Sequence, residues 1–142
     1  MTLKDSLRAV ELFSELPDDL IEEVSGCGST VKVGPGVPIV SQDDRGAGMV
    51  ILLEGSADVE VDGRAVGSLS RGDYFGEMSL IDGSGRTATV RSGPEGVSAF
   101  RLSPAAFTSL IDQHPRIALL LLKALVSRVR RLEAQAGPST SG

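Results

Sequence analysis

The chain has 142 residues, a formal net charge of −5, 41% hydrophobic and 23% charged residues, the balance of one soluble globular domain. Duplex-binding domains need a positive surface to meet phosphates, so the acidic balance argues against nucleic acid as a partner. The one cysteine, Cys27, excludes an internal disulfide, and with the one histidine, His114, it makes neither a metal cluster nor an evident nucleophile pair.

The first segment reads as helix, with Leu7, Val10 and Phe13 at helical spacing. Pro17 opens a second short helix, where its missing N–H costs nothing. Leu16, Leu20 and Val24 form the apolar face of that helix, and Gly26 and Gly28 end it. No basic segment followed by an apolar run stands at the start, so no signal peptide is expected and a cytoplasmic location is.

From Thr30 the period changes to two. Thr30–Val33 alternates, Gly34-Pro35-Gly36 turns, and Val37–Ser41 is a short strand with Pro38 at an edge or a start. Gln42–Gly48 reads as a polar loop. Met49–Leu53 is an apolar run suited to a buried strand, and Ala57–Val61 alternates again. Asp62-Gly63 is a two-residue hairpin signal, because both central positions of that turn need positive φ. Arg64–Leu69 returns. Thr87–Ser92 and Val97–Leu102 read as two more strands joined at Gly93-Pro94. Ser103 caps a helix opening at Pro104, with Phe107, Leu110 and Ile111 on its apolar side, and His114-Pro115 breaks it. A longer helix runs from Arg116 to Ala134. The outline is two short helices, seven or eight short strands and two helices, which fits a roll or barrel of antiparallel strands.

The run Gly72–Val90 carries the chemistry. Gly76 precedes Met78–Ile81, which can form one helical turn, and a glycine there lets backbone N–H groups face an anion. Arg86 offers a planar fork to a phosphate and Thr87 adds a hydroxyl. Glu77 is an acceptor for sugar hydroxyls. Taken singly, each feature has a plainer reading: a Gly-Glu turn, a solvated arginine, a Gly83-Ser84-Gly85 loop. Taken together they suit a sugar phosphate.

The order of residues narrows the choice. Phe75-Gly-Glu-Met-Ser-Leu-Ile81, four residues, then Arg86-Thr-Ala-Thr-Val90 closely resembles the phosphate-binding cassette of the cyclic-nucleotide-binding domain family. That family includes bacterial catabolite activator proteins, protein kinase A regulatory subunits and cyclic-nucleotide-gated channels. Leu12-Phe13 with Leu16 and Leu20, Gly36 with Ile39, Val50–Gly55, and Phe107 with Pro115 extend the resemblance over about residues 9–132. Gln42-Asp43-Asp44 departs from it, since the family often has Gly-Asp or Gly-Glu in that loop.

The resemblance implies a mainly β fold, an antiparallel β-roll or jelly-roll barrel with N-terminal helices and two C-terminal helices. Residues 1–136 form the domain: helices in 1–28, the roll in 29–102 with the cassette at 72–90, and lid or dimer helices in 103–136. Residues 137–142 are expected to be a disordered tail. The ligand is a cyclic nucleotide, cyclic AMP in preference to cyclic GMP, with no metal. Glu77 accepts the ribose 2′-hydroxyl, and Arg86 pairs with the phosphate. Backbone N–H groups around Gly76, Glu77, Thr87 and Ala88 complete the phosphate contacts. Phe75, Met78, Ser79 and Val90 are implied as further ligand-binding residues of the cassette, with Met78, Leu80 and Val90 supporting the pocket apolarly. Thr87 is compatible with either base. Arg128, Leu132 and Glu133 are the candidates for base or lid contacts.

In this family the last helix covers the base, and in many bacterial members it also dimerises. Here Ile117, Leu121, Leu125, Val129 and Leu132 form one stripe, widened by Ala118 and Leu122, with Leu119, Leu120 and Val126 away from it. Apolar residues surround the first half of the helix, so a second face needs a partner, and a homodimer through this helix is expected. The short apolar run Leu119–Leu122 cannot span a bilayer, so no membrane association is expected. No helix-turn-helix follows the helix, so output is expected to come from an effector protein or from a larger protein of which this chain is one part. The reading is a sensor that repositions its last helix, not an enzyme. The alternative is a dimerisation or docking module of the same fold that binds no nucleotide, against which Glu77, Arg86 and Thr87 argue. The acidic front (Glu11, Glu15, Asp18, Asp19, Glu22, Glu23) and basic back (Arg116, Lys123, Arg128, Arg130, Arg131) read as solvated helix faces. Their alternative reading is mutual attraction of the two ends.

Overall fold

A computed structural model of the chain describes residues 2–41, 48–82 and 88–136. The expected loop at Gln42–Gly48 therefore lies almost wholly outside the described residues, as do Arg86, Thr87 and the tail at 137–142.

The N-terminal helix α1 spans Leu3–Ala9 and opens on a reciprocal cap: Asp5 N–H donates to the Thr2 hydroxyl, and Thr2 N–H donates to the Asp5 carboxylate. Hydrogen bonding from Thr2, its backbone N–H first and its hydroxyl second, holds the Asp5 carboxyl below its usual range. Phe13 does not continue this helix. Val10 is extended, and Glu11–Phe13 forms a separate 3-10 turn. The break lets Leu7, Val10, Leu12 and Phe13 all reach the core. Helix α2, Asp18–Cys27, follows Pro17 and ends at Gly28.

The strands are β1 Ser29–Val33, β2 Pro38–Val40, β3 Met49–Val61, β4 Arg64–Leu69, β5 Tyr74–Phe75 and β6 Thr89–Leu102. They form one antiparallel sheet of order β1-β6-β3-β4, with β2 also on β6 and β5 also on β3. The count is six among the described residues, below the seven or eight expected from turn signals. The difference arises at glycines. Met49–Leu53 and Ala57–Val61 are one strand, interrupted only by bulges around Glu54 and Gly55. The segments on either side of Gly93-Pro94 likewise join as β6. Bulged glycines bend a strand without ending its pairing. At the hairpin after β3, Asp62 and Gly63 take φ of 51° and 79°, as a two-residue turn of this class requires.

Two helices close the chain, α4 Pro104–Gln113 and α5 Arg116–Gln135. Ser103 caps α4 by accepting from Ala106 N–H. The short helix α3, Ser79–Asp82, lies in the cassette.

Alternation along β3 and β6 divides the core. Met49, Ile51, Phe100 and Leu102 face the helices and join Phe13, Phe107 and Leu110. Val50, Leu52, Val97 and Ala99 face the inside of the roll and join Ile39, Val40 and Val90. The Phe13 and Phe107 rings meet at 5.9 Å in a tilted pair, which ties the N-terminal turn to α4.

The buried stripe of α5 differs from the one read in sequence. Ile117, Leu120, Leu121 and Ala124 are buried, whereas Val129 and Leu132 are exposed. Leu120 moves inward because α5 packs on the 3-10 turn and on α4, a phase that a helix with apolar residues all round does not reveal. No helix of the described residues is long and apolar enough to cross a membrane.

Gly55 offers a direct test of the bulge. Its φ is +89°, and an added Cβ would lie 2.3 Å from the Gly96 carbonyl oxygen. Gly55→Ala is expected to cost at least about 2 kcal/mol in a denaturant titration; parental stability would contradict this account of the strand.

Candidate functional site

The cassette is suspended from the long central strand. Gly72 N–H donates to the Leu52 carbonyl at 2.8 Å, and Leu52 N–H donates to that of Asp73 at 2.9 Å. The Asp73 carboxylate accepts from Ser70 N–H at 2.8 Å and closes the turn. Tyr74 and Phe75 then pair with Ile51 and Val50. At the far end, Thr89 and Val90 pair with Glu60 and Val59 of the same strand.

Between these anchors, Gly76 takes φ of +82°. That conformation, costly for a side-chain-bearing residue, reverses the chain into α3. Ser79 N–H donates to the Gly76 carbonyl at 3.1 Å. Ser79 and Leu80 are buried, and Leu80 joins the helix-side core. Phe75 packs against the roll-side core, to which Val90 belongs. Met78, expected to support the pocket, is exposed. Met78 stands two positions before Leu80, about 200° round a helical turn, so it points away from the core that Leu80 enters. Ala88 is half-buried just before β6.

Glu77 has a partner that the cassette alone does not announce. Its carboxylate lies 3.7 Å from the Arg128 guanidinium, on α5, and its side chain is only 17% exposed. The structure thus brings together Glu77 and one of the three lid candidates. Leu132 and Glu133 lie exposed on α5. Glu133 instead borders a shallow apolar depression with Leu122, Val126 and Val129.

Sequence reading passed over Tyr74 and left Glu11 in the acidic front. The Tyr74 hydroxyl accepts from Glu11 N–H at 3.2 Å, and the Glu11 carboxylate is ion-paired with Arg131. Burial first, and then the Glu77 charge, push the Tyr74 phenol above its usual range, while Arg128 acts in the opposite sense. Mutual attraction of the acidic front and basic back therefore holds at Glu11. His114 also approaches Glu23, at 3.6 Å. The available signal was the charge asymmetry of the two ends, which does not specify pairs.

Residues 30–114 match the family model described as cyclic nucleotide-binding domain. The chain is 34% identical over 113 residues to the cAMP-dependent protein kinase regulatory subunit of Mycosarcoma maydis, covering 74% of this chain and 22% of that protein. It is 33% identical over 120 residues to a cyclic nucleotide-gated potassium channel of Mesorhizobium japonicum, covering 84% and 33%. The chain spans less than half the length of these curated relatives. Among solved structures, the N-terminal domain of a transcriptional regulator from Streptomyces coelicolor superposes with TM-score 0.82 at 27% identity, covering 92% of this chain and 96% of that one. The regulatory domain of Toxoplasma gondii PKA, crystallised with cAMP, superposes with TM-score 0.68 at 26% identity, covering 76% and 42%.

Tyr74 is the one tyrosine, and the chain has no tryptophan, so near-ultraviolet absorbance titrates this phenol alone. Its midpoint is expected above the ordinary 10.0. A raised pKa favours the neutral form, so the stabilising contribution is complete below the ordinary value and is lost as pH rises through the shifted one. A midpoint at or below the ordinary value would contradict the burial of Tyr74 beside Glu77.

Proposed function

The chain belongs to the cyclic nucleotide-binding domain family, and from that premise we propose that it binds cyclic AMP in preference to cyclic GMP and acts as a sensor through α5. The observation that carries the reading is the half-buried carboxylate of Glu77, held between the cassette and α5. Glu77 accepts the ribose 2′-hydroxyl. Backbone N–H groups of Gly76 and Glu77, and of Thr87 and Ala88, take the cyclic phosphate together with the Arg86 guanidinium. Phe75, Ser79, Leu80 and Val90 keep the cassette in shape from the two cores. The cAMP-bound neighbour from Toxoplasma gondii supports cyclic AMP as the ligand.

The coupling to α5 follows from charge. A ligand hydroxyl arriving at Glu77 meets a carboxylate already attracted to Arg128, so ligand and helix position bias one another. Output then passes to an effector protein or to another part of a longer polypeptide. Leu119, Leu122, Val126 and Val129 recur at spacings of three, four and three, and each is more than half exposed. This spacing suits the seam of a two-helix coiled coil, and it supports a homodimer through α5.

Calorimetry with cyclic AMP, cyclic GMP and AMP tests the ligand. Cyclic AMP is expected to bind most tightly and, at about 100 times its Kd, to stabilise the fold by about 2.7 kcal/mol. Arg86→Ala is expected to weaken binding about ten- to hundredfold, since a charge-assisted contact is lost. No response to either cyclic nucleotide would favour the docking module, and unchanged affinity in Arg86→Ala would overturn the site. For the dimer, light scattering is expected to give twice the monomer mass, and Leu122→Glu with Val129→Glu the monomer mass. Monomer alone in the parent at high concentration would exclude the coiled-coil seam.

A further inference from the structure

The inner face of α5 changes chemistry along its length. Ile117, Leu121 and Ala124 are buried, and helical spacing carries that face on through Arg128 to Arg131. No residue of α5 beyond Ala124 is buried, and Val126, Val129 and Leu132 are each more than half exposed. The terminal turns therefore gain little from apolar burial against the roll. Their attachments are charged: Arg128 to Glu77 and Arg131 to Glu11.

These attachments are linked. Glu11 stands in the 3-10 turn, and its N–H donates to the Tyr74 hydroxyl. Tyr74 lies three residues before Glu77. The two arginines, one helical turn apart, thus reach the same corner of the cassette, one directly and one through Glu11 and Tyr74.

We propose that Glu11 and Arg131 are a positioning pair, which holds the terminal turns of α5 so that Arg128 stays on Glu77 and thereby strengthens cyclic-nucleotide binding without touching the ligand. The inference rests on the functional reading above. Arg128 approaches one Glu77 oxygen, Oε1. An ionised carboxylate has about four lone-pair sites, so acceptor capacity remains for a sugar hydroxyl. The pair keeps that acceptor oriented before the ligand arrives, which reduces the ordering cost of binding. Arg131 fixes the rotation of the helix that carries Arg128.

The experiment uses the full chain with Glu11→Gln, Arg131→Gln and Arg128→Gln, alone and combined. In the absence of ligand, amide hydrogen exchange over residues 126–135 is expected to quicken in Glu11→Gln and Arg131→Gln, with the sheet unaffected. Cyclic AMP affinity is expected to fall about two- to fivefold, the range of a partly exposed ion pair. In the Arg128→Gln background, Arg131→Gln is expected to cost nothing further. Exchanging the charges, Glu11→Arg with Arg131→Glu, is expected to restore both readouts. Unchanged exchange, unchanged affinity in a folded variant, or losses that add to those of Arg128→Gln would each overturn the proposal. Were the parent chain to bind neither cyclic nucleotide, the functional reading would fall on that measurement. The exchange result would then decide the positioning pair by itself.

Discussion

The ladder between β3 and β6 is the constraint on which the rest of the molecule depends. It runs from Met49 opposite Leu102 to Glu60 opposite Thr89. The period of two sends successive side chains to opposite faces, so one pair of strands builds both cores. Each large side chain buried on either face contributes about 1.5–3 kcal/mol. The bulges near Gly55 let the pair bend while its pairing continues. A flat ladder would leave the inner apolar face open to water, whereas the bent one closes around Val50, Leu52, Val97 and Ala99.

The candidate site inherits its geometry from that ladder. Both ends of the cassette return to β3, at Val50 and at Glu60, so the irregular stretch between them is fixed at two points of one strand. Buried Leu80 holds α3 against the helices. Glu77, three positions earlier, is then left at the junction of roll and helices. A carboxylate in that place needs a charged partner because burial removes part of its hydration. Arg128 supplies it from the far end of the chain.

Helix α5 serves several neighbours with separate stripes. Ile117, Leu120, Leu121 and Ala124 pack inward, Arg128 and Arg131 extend the inner face with charge, and Leu119, Leu122, Val126 and Val129 face away. The distal turns are attached to the cassette and to the N-terminal 3-10 turn by ion pairs, which solvent screens. Such an attachment is weaker than a packed apolar face.

Local chemistry was legible in the sequence. Asp62-Gly63, Ser103 with Pro104, the Pro17 helix start and the Gly76 turn each act within a few residues, and each adopts the conformation its residue types favour. The residue order of the cassette identified the family, because its spacing is a chain-local property. The tertiary structure alone decided that two pairs of apparent strands are single bent ones, that Leu120 rather than Val129 is buried, that Met78 is exposed, and that Glu77 meets Arg128 while Glu11 meets Arg131. Each of these depends on which distant surface arrives beside a residue. Helical periodicity states which side chains share a face, but the phase of that face is chosen by what it packs against.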